Sequence, residues 1–531
     1  MKARLLLAAS ILTIVCNISA KVDYRVIPLP QSINIPSKAG VFAFVNGATV
    51  TFPANNFQMQ RNAELLCEYL HNDADINLTS YAEVKKGASI TLSLGLQGSN
   101  PDAYKITVDK RGVKIEGTSE SGVFHGIQTL RKAIGVEGGD TILLPYVSIN
   151  DYPRFSYRGV HLDCARHYFD LATIKTYIDL MALHGCNNLH WHITDDQGWR
   201  FEMKSMPELA REGSIRKTTV IGHNLNIYDG QPHGGYYTQD ECREIVRYAA
   251  ERYINVIPEV DLPGHMVAAL HVHPELGCTG GPYEVLPYWG VADDVLCAGN
   301  PKTLEFLKKV MDELTEVFPS PLIHIGGDES PRVRWQQCNK CQAMMKKLGL
   351  THEAELQTYI NKELEAYLAR KGRTIIGWDE TLEGGLSDNA IVMSWRGYDG
   401  GIAAARQHHH VIMTPTQNCY IDYYQLRDRN AQPLGIGGYL PLSKVYSMEP
   451  VPEQLSEEEK QYIMGPQANL WTEYVQYPEH LFYMLLPRLD AISEVQWTTA
   501  EQKNFADFEQ RLPRMLRLYD KIGCKYCPSH E

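Results

Sequence analysis

Two adjacent acids, Asp328 and Glu329, follow an apolar segment and two glycines in the stretch LIHIGGDES at 322–330. Like charges raise the pKa of a neighbouring carboxyl, so such a pair can keep one group ionised and the other protonated. The glycines relax the backbone, which would allow both acids to face one pocket. Taken alone, the pair also fits a solvated helix N-terminus, which favours negative charge.

Polar and aromatic side chains follow seven other apolar segments of the chain in the same way. These side chains are Asp163, Arg166, Asp195, Asp196, Glu259, Asp261, His265, Trp378, Trp395, Tyr420, Asp422, Trp471 and Glu473. Tryptophan rings offer flat apolar walls suited to a sugar ring, and carboxylates with an arginine can hold its hydroxyls by charge-assisted hydrogen bonds. A single acid at a strand end could equally cap the next helix, so the prediction of a carbohydrate pocket depends on the whole set.

The elements that must position these residues are eight apolar segments that alternate with amphipathic helices. We predict strands at 157–163, 187–193, 255–260, 322–327, 374–378, 391–395, 410–415 and 465–471. Nearly continuous apolar strands between helices are typical of a parallel sheet that is buried on both faces. Eight of them favour a closed (β/α)8 barrel, whose C-terminal strand ends open onto one face, over a doubly wound open sheet. The fold class is therefore α/β, a TIM-type barrel preceded by a small α+β domain.

Helix-start signals support this alternation. Thr238 with Glu241 three residues later forms a capping box, and Asn300 before Pro301 is typical of a capped helix N-terminus. The predicted organisation is a signal peptide at 1–20, a small α+β domain at 21–150, the barrel at 151–510 and a C-terminal tail at 511–531.

The first twenty residues have the layout of a secretory signal. Lys2 and Arg4 precede an apolar segment at 5–15, and Ala20 offers a small residue before a cut. The apolar segment is too short to span a bilayer. We therefore expect an exported protein, periplasmic or secreted. Lipid anchoring at Cys16 ranks second, because a bulky valine precedes that cysteine.

Composition limits the classes of partner. The 531 residues are 44% hydrophobic and 21% charged, with a formal net charge of −12 and a sequence pI of about 5.9. This is ordinary globular composition, and an acidic protein has little attraction for nucleic acid. No segment after the signal predicts a transmembrane helix, so no membrane partner is expected beyond that signal. We expect a monomer or a homodimer.

Twelve cysteines include Cys16 in the predicted signal, which leaves an odd number and at least one free or intermolecular thiol. Cys278 and Cys297 flank a loop rich in Gly and Pro and could form a bridge. Two CxxC pairs have the spacing of zinc ligands: Cys338 with Cys341, and Cys524 with Cys527. Because the two pairs lie far apart in sequence, local disulfides or free thiols are favoured over structural zinc.

Histidines offer a second possible metal cluster. His190 and His192 alternate along one predicted strand, and His265 follows the next. Histidines inside a barrel are more often hydrogen-bonded core residues than ligands. We therefore expect no metal and no cofactor.

Six longer motifs carry a family resemblance. They are RGVHLDCARHY (158–168), LHWHITDDQGWR (189–200), PEVDLPGH (258–265), HIGGDE (324–329), GWDE (377–380) and LWTEY (470–474). The chain resembles the family-20 glycoside hydrolases, the β-N-acetylhexosaminidases, from about residue 25 to about residue 500. The resemblance implies removal of terminal non-reducing β-linked GlcNAc or GalNAc with retention. It also implies substrate assistance, in which the 2-acetamido oxygen of the sugar attacks the anomeric carbon and forms an oxazolinium.

The resemblance further implies roles for particular residues. Asp328 would orient the acetamido N–H, Glu329 would protonate the leaving oxygen, and Tyr420 would donate a hydrogen bond to the acetamido oxygen. Trp378 and Trp395 would line the acetamido pocket, Trp471 would stack on the ring, Arg166 would hold the 3- and 4-hydroxyls, and Asp422 and Glu473 would bind the 4- and 6-hydroxyls. Asp195 and His265 would form a relay behind Glu329 with Asp261 in support, and Glu259 and Asp196 would lie further back.

Two alternatives remain open. A disaccharide-releasing, lacto-N-biosidase-like enzyme of the same family needs a pocket open beyond the first sugar, and the loops at 205–237 and 278–298 could provide that opening. An inactive sugar-binding protein on the same scaffold is the other. Asp422 and Glu473 favour a closed exo-acting site over the first alternative, and the intact set of acids argues against the second.

Overall fold

The computed structural model describes residues 22–83, 89–136, 138–139 and 141–529. The predicted signal at 1–20, with Cys16, lies outside the described residues. Within the described part of the chain, no helix is both long and apolar enough to cross a bilayer.

A mixed α+β unit opens the described chain. Its strands are β1 (Ser32–Asn34), β2 (Val41–Val45), β3 (Thr49–Phe52), β4 (Thr79–Ala82), β5 (Ile90–Leu94), β6 (Tyr104–Asp109), β7 (Gly112–Gly117), β8 (Thr141–Pro145) and β9 (Val147–Asp151). Seven of them form one sheet in the order β1-β9-β6-β7-β5-β3-β4, and β2 pairs with β8. Alternate residues of β6 are buried, which gives the sheet an apolar face for the helices Phe57–Ala74 and Glu120–Ile134.

A closed parallel barrel follows this unit. The remaining strands are β10 (Gly159–Asp163), β11 (Asn188–His192), β12 (Thr194–Asp195), β13 (Gly198–Trp199), β14 (Ile215–Arg216), β15 (Val220–Ile221), β16 (Asn224–Tyr228), β17 (His233–Gly234), β18 (Asn255–Glu259), β19 (Leu322–His324), β20 (Thr374–Trp378), β21 (Ile391–Ser394), β22 (Val411–Met413) and β23 (Ile463–Ala468). The strands β10, β11 and β18–β23 form the barrel, which closes where Gly159 lies beside Gln467. The predicted (β/α)8 barrel is confirmed, and each of its strands overlaps one of the eight predicted segments, although the last strand begins two residues earlier and ends three residues earlier than predicted.

Helices cover the outside of the barrel, and two of them begin at the predicted signals. Thr238 and Glu241 form the capping box, and the side chain of Asn300 accepts a hydrogen bond from the backbone of Lys302. The helices after residue 150 are Leu171–Leu183, Pro207–Arg211, Gln239–Ala250, Val267–Val272, Pro301–Val317, Val333–Gln337, Asn339–Leu348, Ala354–Ala369, Asp399–Arg406, Thr416–Cys419, Leu442–Tyr446, Glu457–Lys460, Pro478–Leu485, Arg488–Trp497 and Phe505–Ile522. Short 3-10 turns lie at Pro274–Leu276, Asp379–Leu382, Arg429–Ala431 and Ala500–Gln502.

The segment expected to be a C-terminal tail continues the last helix, Phe505–Ile522. One face of this helix is apolar and buried, with Phe508, Leu512 and Tyr519 among its members. Arg511 forms a buried bidentate pair with Glu494, with N–O distances of 2.6 and 2.8 Å. The end of the chain is therefore packed onto the barrel as far as Ile522.

The eleven cysteines of the described chain are all free thiols. The bridge considered for Cys278 and Cys297 is not formed in the described structure. The CxxC pair Cys338 and Cys341 instead lies beside both of these residues, because the loop after β18 folds back onto the helix Asn339–Leu348. This grouping could not be predicted from local sequence pattern, since Cys278 and Cys341 are separated by 63 positions.

Candidate active site

A pocket of about 400 Å³ lies at the C-terminal ends of the barrel strands. It is lined by Arg166, Trp289, Gly290, Val291, Asp328, Glu329, Trp395, Thr416, Tyr420, Asp422, Tyr423, Ile436, Trp471, Glu473 and Tyr474. Eight of the residues predicted from the sequence are in this lining. Five others, namely Asp195, Glu259, Asp261, His265 and Trp378, lie behind it.

The loop after β19 presents both adjacent acids to the pocket. Gly326 and Gly327 have φ angles of 62° and 104°, a left-handed region that glycine enters without steric cost. The backbone N–H of Gly327 donates a hydrogen bond of 2.9 Å to Asp261 Oδ1. A Cβ atom on Gly326 would lie 1.7 Å from the same oxygen. The glycines are therefore needed for the close approach of this loop to Asp261, and the resulting turn places Asp328 and Glu329 on the pocket wall.

His265 stands behind the two acids. Its Nε2 lies 3.7 Å from Asp328 Oδ2 and 3.8 Å from Glu329 Oε2, while its Nδ1 lies 3.2 Å from Asp195 Oδ1. Although burial lowers it, the pKa of His265 is raised well above its usual range by the carboxylates of Asp195 and Asp261. Both acids are therefore in reach of one imidazole at the pocket wall.

The surroundings of Glu329 disfavour its ionised form. Burial and the adjacent Asp328 carboxylate raise the pKa of Glu329, whose side chain is 41% exposed at the pocket surface. Burial and Asp328 also raise the pKa of Asp261 well above its usual range. Glu329 is therefore suited to carry a proton that a bound ligand can reach.

Arg166 is fixed by acids on two sides. Its Nη2 lies 2.9 Å from Asp195 Oδ2, and its Nη1 lies 3.2 Å from Asp163 Oδ2. Its guanidinium carbon is 5.0 Å from the ring centroid of Trp471. Although burial raises it, Arg166 and His265 hold the pKa of Asp195 below its usual range. The guanidinium is thus held rigidly beside an aromatic wall, an arrangement that can bind hydroxyls in a fixed direction.

Asp422 and Glu473 provide acceptors that the described protein does not use. Both carboxylate oxygens of Asp422 and the Oε2 atom of Glu473 are buried and have no hydrogen-bond partner among the described residues. Burial and Glu473 raise the pKa of Asp422 well above its usual range. A buried polar atom without a partner is costly, so these oxygens are suited to accept hydrogen bonds from ligand hydroxyls.

The aromatic residues divide between the wall and the floor of the pocket. Trp395 and Tyr420 stack with ring centroids 6.0 Å apart and an interplanar angle of 24°. Burial and Asp328 raise the pKa of Tyr420 well above its usual range, so its hydroxyl remains a hydrogen-bond donor. Trp378, expected to line the pocket, is only 1% exposed and lies beneath it, with its ring centroid 5.9 Å from that of Trp471.

Glu259 lies at the centre of a buried polar cluster under the floor. Its Oε1 accepts from Trp378 Nε1 at 2.9 Å and lies 2.9 Å from His324 Nδ1, while its Oε2 contacts His190 and His192. Although burial raises it, the neighbouring histidines hold the pKa of Glu259 well below its usual range. This carboxylate therefore fixes the ring of Trp378 and stays away from the pocket.

A chain of contacts joins this cluster to the acids. His192 contacts Glu259 through Nδ1, and its Nε2 lies 2.8 Å from Asp195 Oδ2. Asp195 in turn contacts His265, and Asp196 Oδ2 lies 3.5 Å from the same imidazole. Glu259 beneath the pocket is thereby connected, through His192 and Asp195, to His265.

The sequence analysis assigned no role to Glu380, which contacts the pocket residue Trp395, or to Trp289 and Tyr474, which line the pocket. Glu380 Oε2 accepts a hydrogen bond of 2.8 Å from Trp395 Nε1, and burial with Asp328 raises the pKa of Glu380 to about 8. It belongs to the motif GWDE and could have been found there. Trp289 and Tyr474, with ring centroids 6.3 Å apart, come from loops. Trp289 had no periodicity to indicate its position, although Tyr474 closes the motif LWTEY.

A barrel that opens onto a small pocket of carboxylates, one arginine and aromatic rings defines a class of protein. Such a pocket matches the alternating apolar faces and hydroxyl edges of a sugar ring, and its site occupies the strand ends where barrel enzymes carry out catalysis. The fold and the site together are those of a carbohydrate-processing enzyme.

Comparisons with known proteins identify the family. The model of the glycosyl hydrolase family 20 catalytic domain matches residues 155–500, and that of the family's domain 2 matches residues 23–152. The chain belongs to glycosyl hydrolase family 20, so the resemblance inferred from the motifs is confirmed.

Individual relatives agree with this assignment. A β-hexosaminidase of Porphyromonas gingivalis is 41% identical over 513 residues, which cover 94% of this chain but only 64% of the relative. The chain therefore spans less than two thirds of that relative's length. The structure of an exo β-N-acetylglucosaminidase from Vibrio harveyi in complex with N-acetylglucosamine has a TM-score of 0.83 at 33% identity, covering 95% of this chain and 79% of that one. A mutant Streptomyces plicatus β-hexosaminidase in complex with its product GlcNAc has a TM-score of 0.81 at 29% identity, covering 95% and 96%.

Proposed function

We propose that this protein is an exo-acting β-N-acetylhexosaminidase that releases terminal non-reducing β-linked GlcNAc or GalNAc with retention of configuration. The observation that carries the proposal is the placement of Asp328 and Glu329, whose carboxylates approach one nitrogen of His265 at 3.7 and 3.8 Å. The names of the relatives support the same activity.

Membership of glycosyl hydrolase family 20 favours substrate assistance over the common glycosidase mechanisms. Retaining enzymes with a carboxylate nucleophile need two carboxyls on opposite sides of the scissile bond, about 5–5.5 Å apart. Asp328 and Glu329 are adjacent in the chain and both approach His265 Nε2, and glycosyl hydrolase family 20 is an exception in which the substrate takes the place of the carboxylate nucleophile. A nucleophile on the far side can come from the substrate, because the 2-acetamido oxygen of a bound hexosamine reaches its own anomeric carbon.

In the first step, the acetamido oxygen forms a bond to the anomeric carbon as the glycosidic bond breaks. The leaving oxygen takes the proton of Glu329. Asp328 accepts a hydrogen bond from the acetamido N–H and stabilises the positive charge of the oxazolinium, while Tyr420 donates to the acetamido oxygen. In the second step, water adds to the anomeric carbon, Glu329 takes its proton, and the acetamido group is released. The sugar leaves with its original configuration because the anomeric carbon has been inverted twice.

The size of the pocket supports an exo-acting enzyme. A volume of about 400 Å³ is at the lower end of the range of about 300–1,000 Å³ for ligand pockets. Asp422 and Glu473 offer acceptors to the hydroxyls of the non-reducing end, Arg166 holds neighbouring hydroxyls, and Trp471 provides a stacking surface. Together these groups are arranged to bind one terminal sugar.

The test is hydrolysis of aryl β-glycosides by the wild-type protein and by Glu329→Gln. General acid catalysis contributes typically about 10²–10⁴-fold, so kcat for p-nitrophenyl GlcNAc should fall by that amount. The loss should be larger for a poor leaving group, which needs the proton more, than for dinitrophenol. Glu284→Gln, at an exposed position paired with Lys217, is the matched control and should keep full activity.

Several results would contradict the proposal. Turnover of the corresponding glucoside at the rate of the GlcNAc substrate would exclude the acetamido nucleophile, as would a covalent glycosyl adduct on a carboxylate of the chain. Release of disaccharide from a disaccharide aryl glycoside, without release from the monosaccharide, would identify the disaccharide-releasing alternative. Binding of GlcNAc without any hydrolysis would identify a sugar-binding protein.

We further propose that the protein is exported, on the strength of the basic, apolar and small-residue pattern at 1–20. Expression of the full chain and mass measurement of the recovered product would reveal cleavage after about residue 20. Recovery of the intact N-terminus from the cytoplasmic fraction would contradict export. Light scattering of the same preparation would distinguish a monomer from a homodimer.

A further inference from the structure

Four cysteine thiols meet at the base of the loop that follows β18. The Sγ atom of Cys297 lies 3.6 Å from that of Cys341 and 3.7 Å from that of Cys338, and Cys278 Sγ lies 3.8 Å from Cys341 Sγ. All four sulfur atoms lie within 4.8 Å of one another. Cys297, Cys338 and Cys341 are buried, and Cys278 is half-buried.

These distances match the edges of a metal-centred tetrahedron. Zinc binds thiolates at about 2.3 Å in tetrahedral sites, which places the sulfur atoms of neighbouring ligands about 3.8 Å apart. A disulfide would require about 2.05 Å. We propose that Cys278, Cys297, Cys338 and Cys341 bind one structural zinc ion.

The backbone around the four thiols is built for this geometry. Cys338 and Cys341 flank the first turn of the helix Asn339–Leu348, which supplies the short CxxC half of the site. Cys278 and Cys297 come from the two ends of the loop, whose strands are joined by the bridge between Gly277 and Leu296. The site therefore combines two ligands from the start of a helix with two from the base of a loop. Four protein ligands fill a tetrahedral zinc site and leave no position for a substrate.

Gly299 brings the two halves together. A Cβ atom at this position would lie 2.2 Å from the carbonyl carbon of Lys340 and 2.5 Å from the backbone nitrogen of Cys341. A residue with a side chain would therefore separate the loop base from the helix start.

Metal binding would fix a loop that reaches the pocket. Residues between Cys278 and Cys297 include Trp289, which lines the cavity. The same loop is held by a hydrogen bond of 2.9 Å from Trp335 Nε1 to Leu296 O. A cross-link at the loop base would restrict the positions open to Trp289. Metal binding itself does not depend on the proposed activity, so the two proposals can fail separately.

Zinc binding converts four thiols to thiolates and releases four protons, with no change of oxidation state. An exported protein meets an oxidising environment, in which the same four thiols could instead form two disulfides. These two outcomes differ in metal content and in the number of thiols that react with alkylating reagent.

The experiment measures zinc per chain by inductively coupled plasma mass spectrometry on protein purified without chelator. Wild-type protein should contain about one zinc per chain. Cys341→Ser should lose it, whereas Cys419→Ser, an equally buried cysteine outside the cluster, should retain it. Cys278→Ser, at the half-buried edge, should bind zinc more weakly than Cys67→Ser, its half-buried control. Should Cys341→Ser fail to fold, mercurial titration of the folded wild type, with a chromogenic zinc indicator, should release one zinc per chain.

Cobalt substitution tests the ligand set directly. Co²⁺ added to the stripped wild-type protein should give the intense charge-transfer and visible bands of a tetrahedral thiolate site, and Cys278→Ser should weaken them. A second outcome is recovery of the protein without metal, with four cysteines that react with an alkylating reagent only after a reductant is added. That result would show two disulfides in place of the zinc site and would overturn the proposal. Four alkylatable thiols that take up neither zinc nor cobalt would overturn the proposal as well.

Discussion

Replacing Gly326 by Ala tests whether the close approach of the acid loop to Asp261 holds the site together. The φ angle of Gly326 is 62°, and the added Cβ would lie 1.7 Å from Asp261 Oδ1 and 2.7 Å from Asp261 Cα. A left-handed backbone costs an L-residue about 1–2 kcal/mol. Overpacking in a rigid interior adds about 1–3 kcal/mol. Together the free energy of unfolding should fall by about 2–5 kcal/mol.

Relief of the clash between the added Cβ and Asp261 would itself cost free energy. Asp261 is buried and accepts a hydrogen bond from Gly327, so its carboxylate cannot turn away without leaving that donor unpaired. The loop must move instead, and with it Asp328 and Glu329. A displacement of about 1 Å in a catalytic group can cost about 100-fold in rate. We therefore expect a fall of that order in kcat for an aryl GlcNAc substrate.

Gly349→Ala is the matched control. Gly349 has a φ of 69°, and a Cβ atom on it would have no neighbour within 4 Å. It should lose about 1–2 kcal/mol from the backbone alone and keep full activity. Urea unfolding followed by tryptophan fluorescence, with steady-state kinetics on the same samples, measures both effects. Equal midpoints and equal kcat values for the two variants would refute the reasoning about Asp261.

Three further predictions concern charged groups. Asp328→Asn should lower the pKa of Glu329, so the alkaline limb of the kcat profile should move to lower pH, with kcat reduced at least about 100-fold; an unmoved limb would contradict the coupling. Asp422→Asn removes a buried carboxyl group whose pKa is raised by burial. An acid whose pKa is higher in the folded than in the unfolded protein destabilises the folded protein once the pH exceeds the pKa in the unfolded protein. The variant should therefore be more stable at neutral pH by at least about 1 kcal/mol, with KM raised about 10–100-fold; lower stability or an unchanged KM would count against it. Arg511→Met leaves the buried carboxylate of Glu494 without its cation and should cost about 3–5 kcal/mol. Also replacing Glu494 by Gln, which keeps one acceptor oxygen beside Leu29 N and Tyr446 Oη, should recover part of this loss in the urea midpoint. Additive effects of the two substitutions would contradict the pairing.

The sequence predicted the barrel well because each strand carries its own signal. Runs such as TIIGW and IVMSW are apolar on both faces, which is a local property of a strand buried between helices. Helix starts were equally readable, since the capping box at Thr238 involves residues three positions apart. The strand-end residues then followed from the barrel, because closure brings all C-terminal ends to one face.

The directions of strand-end side chains and the positions of loop residues were harder to predict. Trp378 ends a strand and was expected on the pocket wall. Its ring instead lies beneath the pocket, where its Nε1 donates a hydrogen bond to Glu259. Trp289 lines the pocket from a loop that has no periodicity. The direction in which a side chain points at a strand end depends on neighbours from other strands, which no single segment records.

The sequence by itself determined the eight strands, the family and the identity of the acids, because these depend on local patterns and on motifs of residues that are contiguous in the chain. Only the tertiary structure decided that Cys278 and Cys297 meet Cys338 and Cys341, and that one histidine stands behind both Asp328 and Glu329. Such groupings depend on how loops close over long separations in the chain. Loop closure is governed by packing among distant elements and is only weakly constrained by the residues of the loop itself.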